Sequence, residues 1–234
     1  MPVLRRVVPV LSFLLVPLWA TAVRAECPNG SFSCYGSGAS SGETTADPVA
    51  SFDCSRFHVD SHLSFDHIQG LVSAQSVSVP GNTASAYLSD NFVLTGPPAG
   101  TLVPITVVGD FDLQNIRQVN AVTWSSGSIF TPLLSGSGPI PNTAEVFFTA
   151  SAPGTETITQ QVRLDMNVKA GQEFEIGFKA TAQASGNAGG YSHGRLSFAG
   201  LPPGSSITAC KGFRQDQPVP ALPVSWGGLK ATYR

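Results

Sequence analysis

Apolar and polar side chains alternate with a period of two residues from position 158 to position 184. The apolar side chains occupy even positions on both sides of a turn at Lys169-Ala170-Gly171: Ile158, Val162, Leu164, Met166, Val168, Phe174, Ile176, Phe178, Ala180, Ala182 and Ala184. Because successive residues of a strand point to opposite faces, this period predicts two strands that each bury one face. Burial on one face only is typical of an antiparallel sheet packed against a second layer.

Shorter segments of strand-like composition recur through the rest of the chain. They lie at residues 57–79, 83–94, 99–113, 119–124, 144–150, 191–198 and 207–210. Between them lie a Gly/Ser/Pro-rich loop at 125–141, a glycine-rich loop at 185–190 and a Leu-Pro-Pro-Gly corner at 201–204. Many short strands separated by turn signals predict an all-β, antiparallel β-sandwich of jelly-roll-like type.

The N-terminal residues have the pattern of a secretory signal peptide. Arg5 and Arg6 precede an apolar run at 7–20, and the small residues Val23 and Ala25 precede a cleavage point. A membrane anchor is the alternative, but the run is shorter than the roughly 20 residues that a spanning helix needs. We therefore expect a secreted protein, extracellular or periplasmic and in some settings associated with the cell surface, without stable membrane insertion after cleavage.

Charge excludes nucleic acid as an expected partner. The chain has 13 basic and 15 acidic residues, and cleavage after Ala25 removes three of the basic ones, which leaves a net charge of −5. A chain of this charge lacks the basic patch that nucleic-acid binding requires.

We divide the chain into five segments. They are a signal peptide at 1–25, an irregular Gly/Ser-rich arm at 26–49, a β-sandwich domain at 50–213, a Pro-rich linker at 214–225 and a tail at 226–234. The prolines of the linker favour an extended chain. Trp226, Leu229 and Tyr233 are spaced as on a helix, which predicts a short cap on the sandwich, with an export or attachment signal as the alternative.

Four cysteines in an exported chain predict two disulfide bonds. They are Cys27, Cys34, Cys54 and Cys210. A structural zinc site is the alternative, but the chain has no C-x-x-C pair. We expect a local Cys27–Cys34 bond and a long-range Cys54–Cys210 bond, because the first and last strands of a domain tend to lie close together. Pairing of Cys54 with a cysteine of the arm, and of Cys210 with the other, stays open.

Two sets of residues are candidate metal ligands. His58, Asp60 and His62 alternate along a predicted strand. Positions four apart on a strand are separated by roughly 13 Å, so the two histidines would share one ion only where the strand bends. Asp110 and Asp112 stand at a predicted strand end and are candidates for calcium, which takes six to eight oxygen ligands. The alternative for both sets is a solvated polar face, and we expect no other cofactor.

Several short motifs resemble those of a group of secreted bacterial β-sandwich proteins. They are SDNFVLTG at 89–96, AGTLVPIT at 99–106, GQEFEIGF at 171–178, YSHGRL at 191–196 and LPPG at 201–204. Such proteins are often found among exported proteins with sorting tails of the PEP-CTERM type, although this chain has neither Pro-Glu-Pro nor a terminal hydrophobic anchor. The resemblance, which covers residues 85–212, implies an extracellular or surface β-sandwich, mostly without known function, and it brings no catalytic residues.

The sequence favours a binding or structural role over catalysis. His193 falls on the outward face of its predicted strand, and a catalytic triad needs a nucleophile and an acid brought to it. The chain has neither a P-loop nor a dinucleotide fingerprint. We predict a non-catalytic structural or adhesion-type protein with extracellular glycans or surface proteins as partners. The alternative is a carbohydrate-binding module in which Trp124 and Phe130 stack on sugar rings beside a calcium site, and a secreted hydrolase is third.

Overall fold

The computed structural model describes residues 27–36, 39–54, 60–77, 82–131, 143–186 and 188–217. The strands in these ranges are β1 Gly30–Gly36, β2 Ala39–Thr45, β3 Val49–Asp53, β4 Asp60–Asp66, β5 Leu71–Val77, β6 Asn82–Thr95, β7 Leu102–Arg117, β8 Val122–Phe130, β9 Thr143–Thr149, β10 Gly154–Lys169, β11 Glu173–Ser185, β12 Gly189–Ala199, β13 Ser206–Ala209 and β14 Arg214–Asp216. No helix in the described ranges is long and apolar enough to cross a bilayer. The signal peptide and the C-terminal tail that the sequence predicts lie outside the described residues.

The strands form two antiparallel sheets. The eight-stranded sheet has the order β14-β13-β6-β11-β8-β9, and β1 pairs with β6 and carries β2 on its other side. The six-stranded sheet has the order β10-β7-β12-β5-β4-β3. The strands β11 and β8 pack against β12, β5 and β7 of the other sheet. The predicted class, an all-β antiparallel sandwich, is confirmed.

The core lies between the sheets and follows the alternation of the sequence. The inward residues of β6 and β11 include many alanines, while β7 contributes larger side chains such as Phe111. The Phe111 ring fills the space over Gly127 of β8, where an added Cβ would lie 2.1 Å from the ring. Small residues on one sheet thus make room for large side chains of the other, as a close-packed core requires.

The predicted alternating strands are confirmed. The two segments around the turn at Gly171, whose φ is +75°, are β10 and β11. The segment at 99–113 is β7, and the segment at 57–79 holds β4 and β5. Periodicity therefore located the long strands, because each of them buries one face and solvates the other.

Three predicted irregular segments contain strands and are corrected. The arm at 26–49 holds β1, β2 and the start of β3, because Phe32 and Cys34 alternate inward and β1 completes an edge of the sheet beside β6. The loop predicted from 125 begins only after β8, whose residues up to Phe130 pair with β11. The linker predicted from 214 begins with β14, which pairs with β13.

The predicted disulfide pairing was wrong. The bonds join Cys27 to Cys210 and Cys34 to Cys54. Cys34 projects inward from β1 of the eight-stranded sheet, and Cys54 follows β3 at the edge of the six-stranded sheet. The arm is therefore bonded to both sheets, since it is itself an edge of the sandwich and not a separate segment.

Candidate functional site

The predicted histidine–aspartate metal set falls on an edge of the six-stranded sheet. His58 lies outside the described residues, and Asp60 is the first residue of β4. His62 Nδ1 lies 2.7 Å from Asp53 Oδ1 across the β3–β4 pair, and both side chains are more than half exposed. Within the described ranges, no three His, Cys, Asp or Glu residues form a group that could hold a metal ion. The structure thus brings His62 together with Asp53, a partner that the sequence did not indicate.

The predicted calcium ligands belong to a cross-strand ladder. Asp110 Oδ1 accepts a 2.8 Å hydrogen bond from Gln161 Nε2, and Asp112 Oδ1 accepts a 2.7 Å bond from Thr159 Oγ1. Both donors belong to β10, the neighbour of β7. Cross-strand polar pairs of this kind contribute modestly to sheet stability. The two carboxylates are thus engaged with a neighbouring strand and face solvent.

The outer face of the six-stranded sheet is polar around His193. We call it the polar face and define it by Asp110, Asp112, Tyr191, His193 and Arg195. The Tyr191 and His193 rings lie parallel, with centroids 6.4 Å apart. Two open cavities of about 270 and 550 Å³ are both lined by Tyr191. The neighbouring Ser192 points inward, and its Oγ donates to the Ser126 carbonyl, so this serine does not stand beside the histidine as a nucleophile.

One stretch of the arm matches the nucleophile motif Gly-x-Ser-x-Gly. It is GASSG at 38–42. The motif places a catalytic serine when it occupies a sharp turn between a strand and a helix. Ser40 instead lies inside β2, in register with Tyr35 of β1. The match is therefore a consequence of the Gly/Ser-rich composition of the arm.

The outer face of the eight-stranded sheet carries one exposed ring, Phe147, and three partly exposed rings. We call it the aromatic face and define it by Tyr87, Trp124, Phe130 and Phe147. Trp124 and Phe130 both point outward from β8, since they are six residues apart, and they lie about 20 Å apart along the strand. Each ring has an aromatic neighbour from an adjacent part of the sheet, so the face carries two pairs of rings.

The first pair is formed by Tyr87 and Phe130. Their centroids are 5.5 Å apart and their planes differ by 12°. The rings meet over Gly177 of β11, where an added Cβ would lie 2.6 Å from Phe130 and 3.0 Å from Tyr87. Burial raises the pKa of the Tyr87 phenol, a hydrogen bond with Ser89 opposes this rise, and the charge of Glu175 adds to it. The glycine thus allows two rings to lie nearly flat on the sheet.

The second pair is formed by Trp124 and Phe147. Their centroids are 5.2 Å apart with an angle of 34° between the planes, and Phe147 is 59% exposed. Between the two pairs the outward positions are polar, with Ser126 and Ser128 on β8 and Lys179 on β11. Two apolar platforms separated by hydrogen-bonding groups can bind a long ligand that has both apolar faces and hydroxyl groups.

A buried polar cluster lies between the sheets and was missed from the sequence. Asp90 Oδ2 lies 3.2 Å from His67 Nδ1 and accepts a bond from the Lys211 backbone N–H at 3.3 Å, and Asp90 Oδ1 accepts from the Asn91 backbone N–H at 2.8 Å. The side chains of His67 and Asp90 are buried almost completely. Desolvation lowers the pKa of the Lys211 ammonium, and the charges of Asp90 and Asp47 oppose that. His67, Asp90 and Lys211 come from segments that are far apart in the sequence. The alternation of apolar and polar residues within one strand therefore could not indicate this cluster.

Comparison with known proteins does not identify a family for this chain. No family model matches the chain. No curated protein matches it either. One similar solved structure belongs to a study of "the carbohydrate-binding modules from the beta-sandwich super family"; it is 7% identical, covers 74% of this chain and 85% of its own, and has a TM-score of 0.31. A likeness at this level carries no argument about what this chain binds.

Proposed function

We propose that the protein is an exported, non-catalytic adhesion-type module whose aromatic face binds polysaccharide. The observation that carries the proposal is the placement of the Tyr87–Phe130 and Trp124–Phe147 pairs on one outer face of one sheet. Contiguous exposed apolar surface with polar groups beside it is typical of a binding surface. Two pairs of rings on one outer face, with polar positions between them, fit this description.

The chemistry of the face matches that of a sugar chain. A sugar ring has an apolar C–H surface bordered by hydroxyl groups, and an aromatic ring gives it a large apolar contact surface. Trp124 and Phe130, about 20 Å apart along β8, would contact separate units of one extended chain. The hydroxyl group of Ser128 and the ammonium of Lys179 lie between the platforms and are partly exposed, so they can bond to the hydroxyl groups of the sugar.

Calcium is not part of this proposal. Asp110 and Asp112 project from β7 of the six-stranded sheet, on the opposite outer face of the sandwich from the rings. The calcium ligands predicted beside Trp124 and Phe130 are therefore not beside them. The two disulfide bonds support oxidation outside the cytoplasm, and export itself rests on the leader that the sequence predicts at 1–25.

The proposal is tested with polysaccharides on the oxidised protein. A glycan array, run with and without calcium, selects a ligand, and calorimetry then measures its dissociation constant. We expect Trp124→Ala and Phe130→Ala each to weaken binding about tenfold, because each removes about 1.4 kcal/mol of apolar contact.

The matched control is Tyr191→Ala, which removes an aromatic ring from the polar face. We expect it to change the dissociation constant by less than about twofold. Binding that survives the double variant Trp124→Ala/Phe130→Ala, or that is lost in Tyr191→Ala, would contradict the proposal. Failure to bind any glycan, together with capture of a protein partner by the same rings, would replace polysaccharide with protein as the ligand.

A further inference from the structure

The strand β10 is a long open edge of the six-stranded sheet. Its 16 residues pair with β7 in one uninterrupted register, and none of the described strands pairs with its other side. The edge strand at the opposite end of the same sheet, β3, spans five residues. A strand that is paired on one side only presents a row of backbone N–H and C=O groups to which another strand can bond.

This edge lacks the features that keep sheet edges apart. Proteins protect open edges with proline, lysine, bulges or charged side chains that point inward. From residue 157 to residue 168 there is neither proline nor lysine, and the register with β7 has no bulge. From residue 158 to residue 168 the inward positions are filled by uncharged side chains: Ile158, Gln160, Val162, Leu164, Met166 and Val168. The edge is therefore suited to pairing with another strand.

We propose that two copies of the chain pair antiparallel through β10, with Leu164 opposite the partner's Leu164. A two-fold axis perpendicular to the sheet relates two antiparallel edges and keeps the inward faces of both copies on the same side. Closed two-fold pairing of this kind is the commonest form of homodimer. It satisfies the open edges of both copies at once and leaves no further β10 edge exposed.

Charge selects this register over its neighbours. With Leu164 on the axis, Arg163 faces the partner's Asp165 and Asp165 faces the partner's Arg163. A shift of the axis to position 163 places Arg163 opposite the partner's Arg163, and a shift to position 165 does the same with Asp165. Opposite charges across a strand pair are stabilising and like charges are destabilising, so only the middle register gains from both pairs.

The side chains near the axis are free to make these pairs. Arg163 and Asp165 are exposed. Asp165 Oδ1 accepts a bond of 2.5 Å from Thr106 Oγ1, and Arg163 donates to Gln161 Oε1 at 3.1 Å, which leaves the second carboxylate oxygen and further guanidinium N–H groups for the partner. On the inward side Val162 faces the partner's Met166, so apolar residues meet next to the core.

The test measures self-association of the full exported chain with both disulfides formed. Sedimentation velocity over a range of concentrations should show a monomer–dimer equilibrium. The variants Arg163→Asp and Asp165→Arg each place two pairs of like charges across the axis, and each should weaken dimerisation at least tenfold. The double variant Arg163→Asp/Asp165→Arg restores opposite charges with the polarity exchanged and should return the dissociation constant to within about threefold of the original.

Arg195→Asp is the matched control, because it reverses an exposed arginine of the same sheet on β12, away from the edge. It should leave dimerisation unchanged, and all variants should keep the circular dichroism of the original monomer. A chain that is monomeric at about 0.1 mM overturns the proposal. So does a dimer that is insensitive to both single reversals, or one that the double variant does not restore.

Discussion

The two outer faces of the sandwich have the same strand periodicity but different chemistry. On the polar face the outward carboxylates of Asp110 and Asp112 already accept bonds from β10. On the aromatic face the rings of Phe130 and Phe147 contact other rings and keep surface open to solvent. An outward side chain is available to a ligand when its neighbours in the sheet neither cover it nor occupy its hydrogen-bonding groups. By this criterion the aromatic face is the better place for the ligand that we propose, and the polar face is a solvated ladder.

The largest expected effect compares the loss of stability when a buried carboxylate, Asp90, is removed with the loss when a carboxylate of the polar face, Asp112, is removed. The comparison tests whether the polar-face carboxylates do more than bond to the neighbouring strand. Asp90→Ala removes the group that bonds to His67 and to two backbone N–H groups between the sheets, and it leaves a buried histidine without its partner. We expect a loss of about 3 kcal/mol in the free energy of unfolding. Asp112→Ala removes one exposed bond to Thr159 and should cost less than about 1 kcal/mol.

Denaturant unfolding of the oxidised protein measures both values. The folded Asp112→Ala protein should bind polysaccharide as the original does. Equal losses of stability for Asp90→Ala and Asp112→Ala, or loss of binding in the latter, would show that the polar face does more than interact with solvent.

A second, smaller effect compares two glycines that face outward from opposite sheets. In Gly177→Ala the added Cβ meets the Phe130 ring at 2.6 Å, so the Tyr87–Phe130 pair must shift. We expect a destabilisation of about 1–2 kcal/mol and binding weakened by about tenfold. In Gly189→Ala, on the polar face, the nearest atom is 3.7 Å away, on Ile116, and the backbone there does not require glycine.

Calorimetry and thermal unfolding measure the glycine pair in parallel. Gly189→Ala should leave binding unchanged and alter stability by less than about 1 kcal/mol, in either direction, since the loss of unfolded-chain entropy favours alanine. If Gly177→Ala binds polysaccharide normally, the flat arrangement of the first ring pair is not what the ligand recognises.

The sequence predicted the core of this fold better than its surfaces. Alternation located β7, β10 and β11, because each has one buried face. It failed for the arm, where Ser31, Ser33 and glycines surround the inward Phe32, and the composition indicated a loop. Pairing with β6 orders this segment, and such pairing depends on residues 48 to 56 positions away. The wrong disulfide pairing has the same origin, since an irregular arm gives no reason to place Cys34 beside Cys54.

The aromatic face was predicted in part. Trp124 and Phe130 were identified as sugar-stacking candidates, but the strand was expected to end at 124. The two rings have the same parity, and a β8 that continues to Phe130 puts both on one face. Their neighbours Tyr87 and Phe147 come from other strands, so only the sheet order reveals the pairs. The alternation of residues along one strand predicts which face of the sheet a side chain is on. Which side chains lie beside it depends on how the strands pair in the folded protein.

The smallest expected effect tests whether the aromatic face acts through its rings or its polar groups. Burial raises the pKa of the Tyr87 phenol above its ordinary value of 10. The unfolded chain therefore ionises Tyr87 at lower pH than the folded protein does. The contribution of neutral Tyr87 to the free energy of unfolding is fully present below about pH 10. It is lost as the pH rises through the pKa of Tyr87 in the folded protein. Tyr87→Phe removes this dependence, so the original protein should lose stability relative to the variant above pH 10.

Unfolding followed against pH measures this difference, and calorimetry adds a test of binding. Because the ring and not the hydroxyl group contacts the ligand in our proposal, Tyr87→Phe should bind polysaccharide as the original protein does between about pH 6 and 9. Tyr87→Ala, which removes the ring as well, should weaken binding. Equal weakening in both variants would show that the hydroxyl group makes the contact, and that the aromatic face acts through its polar groups and not through its rings.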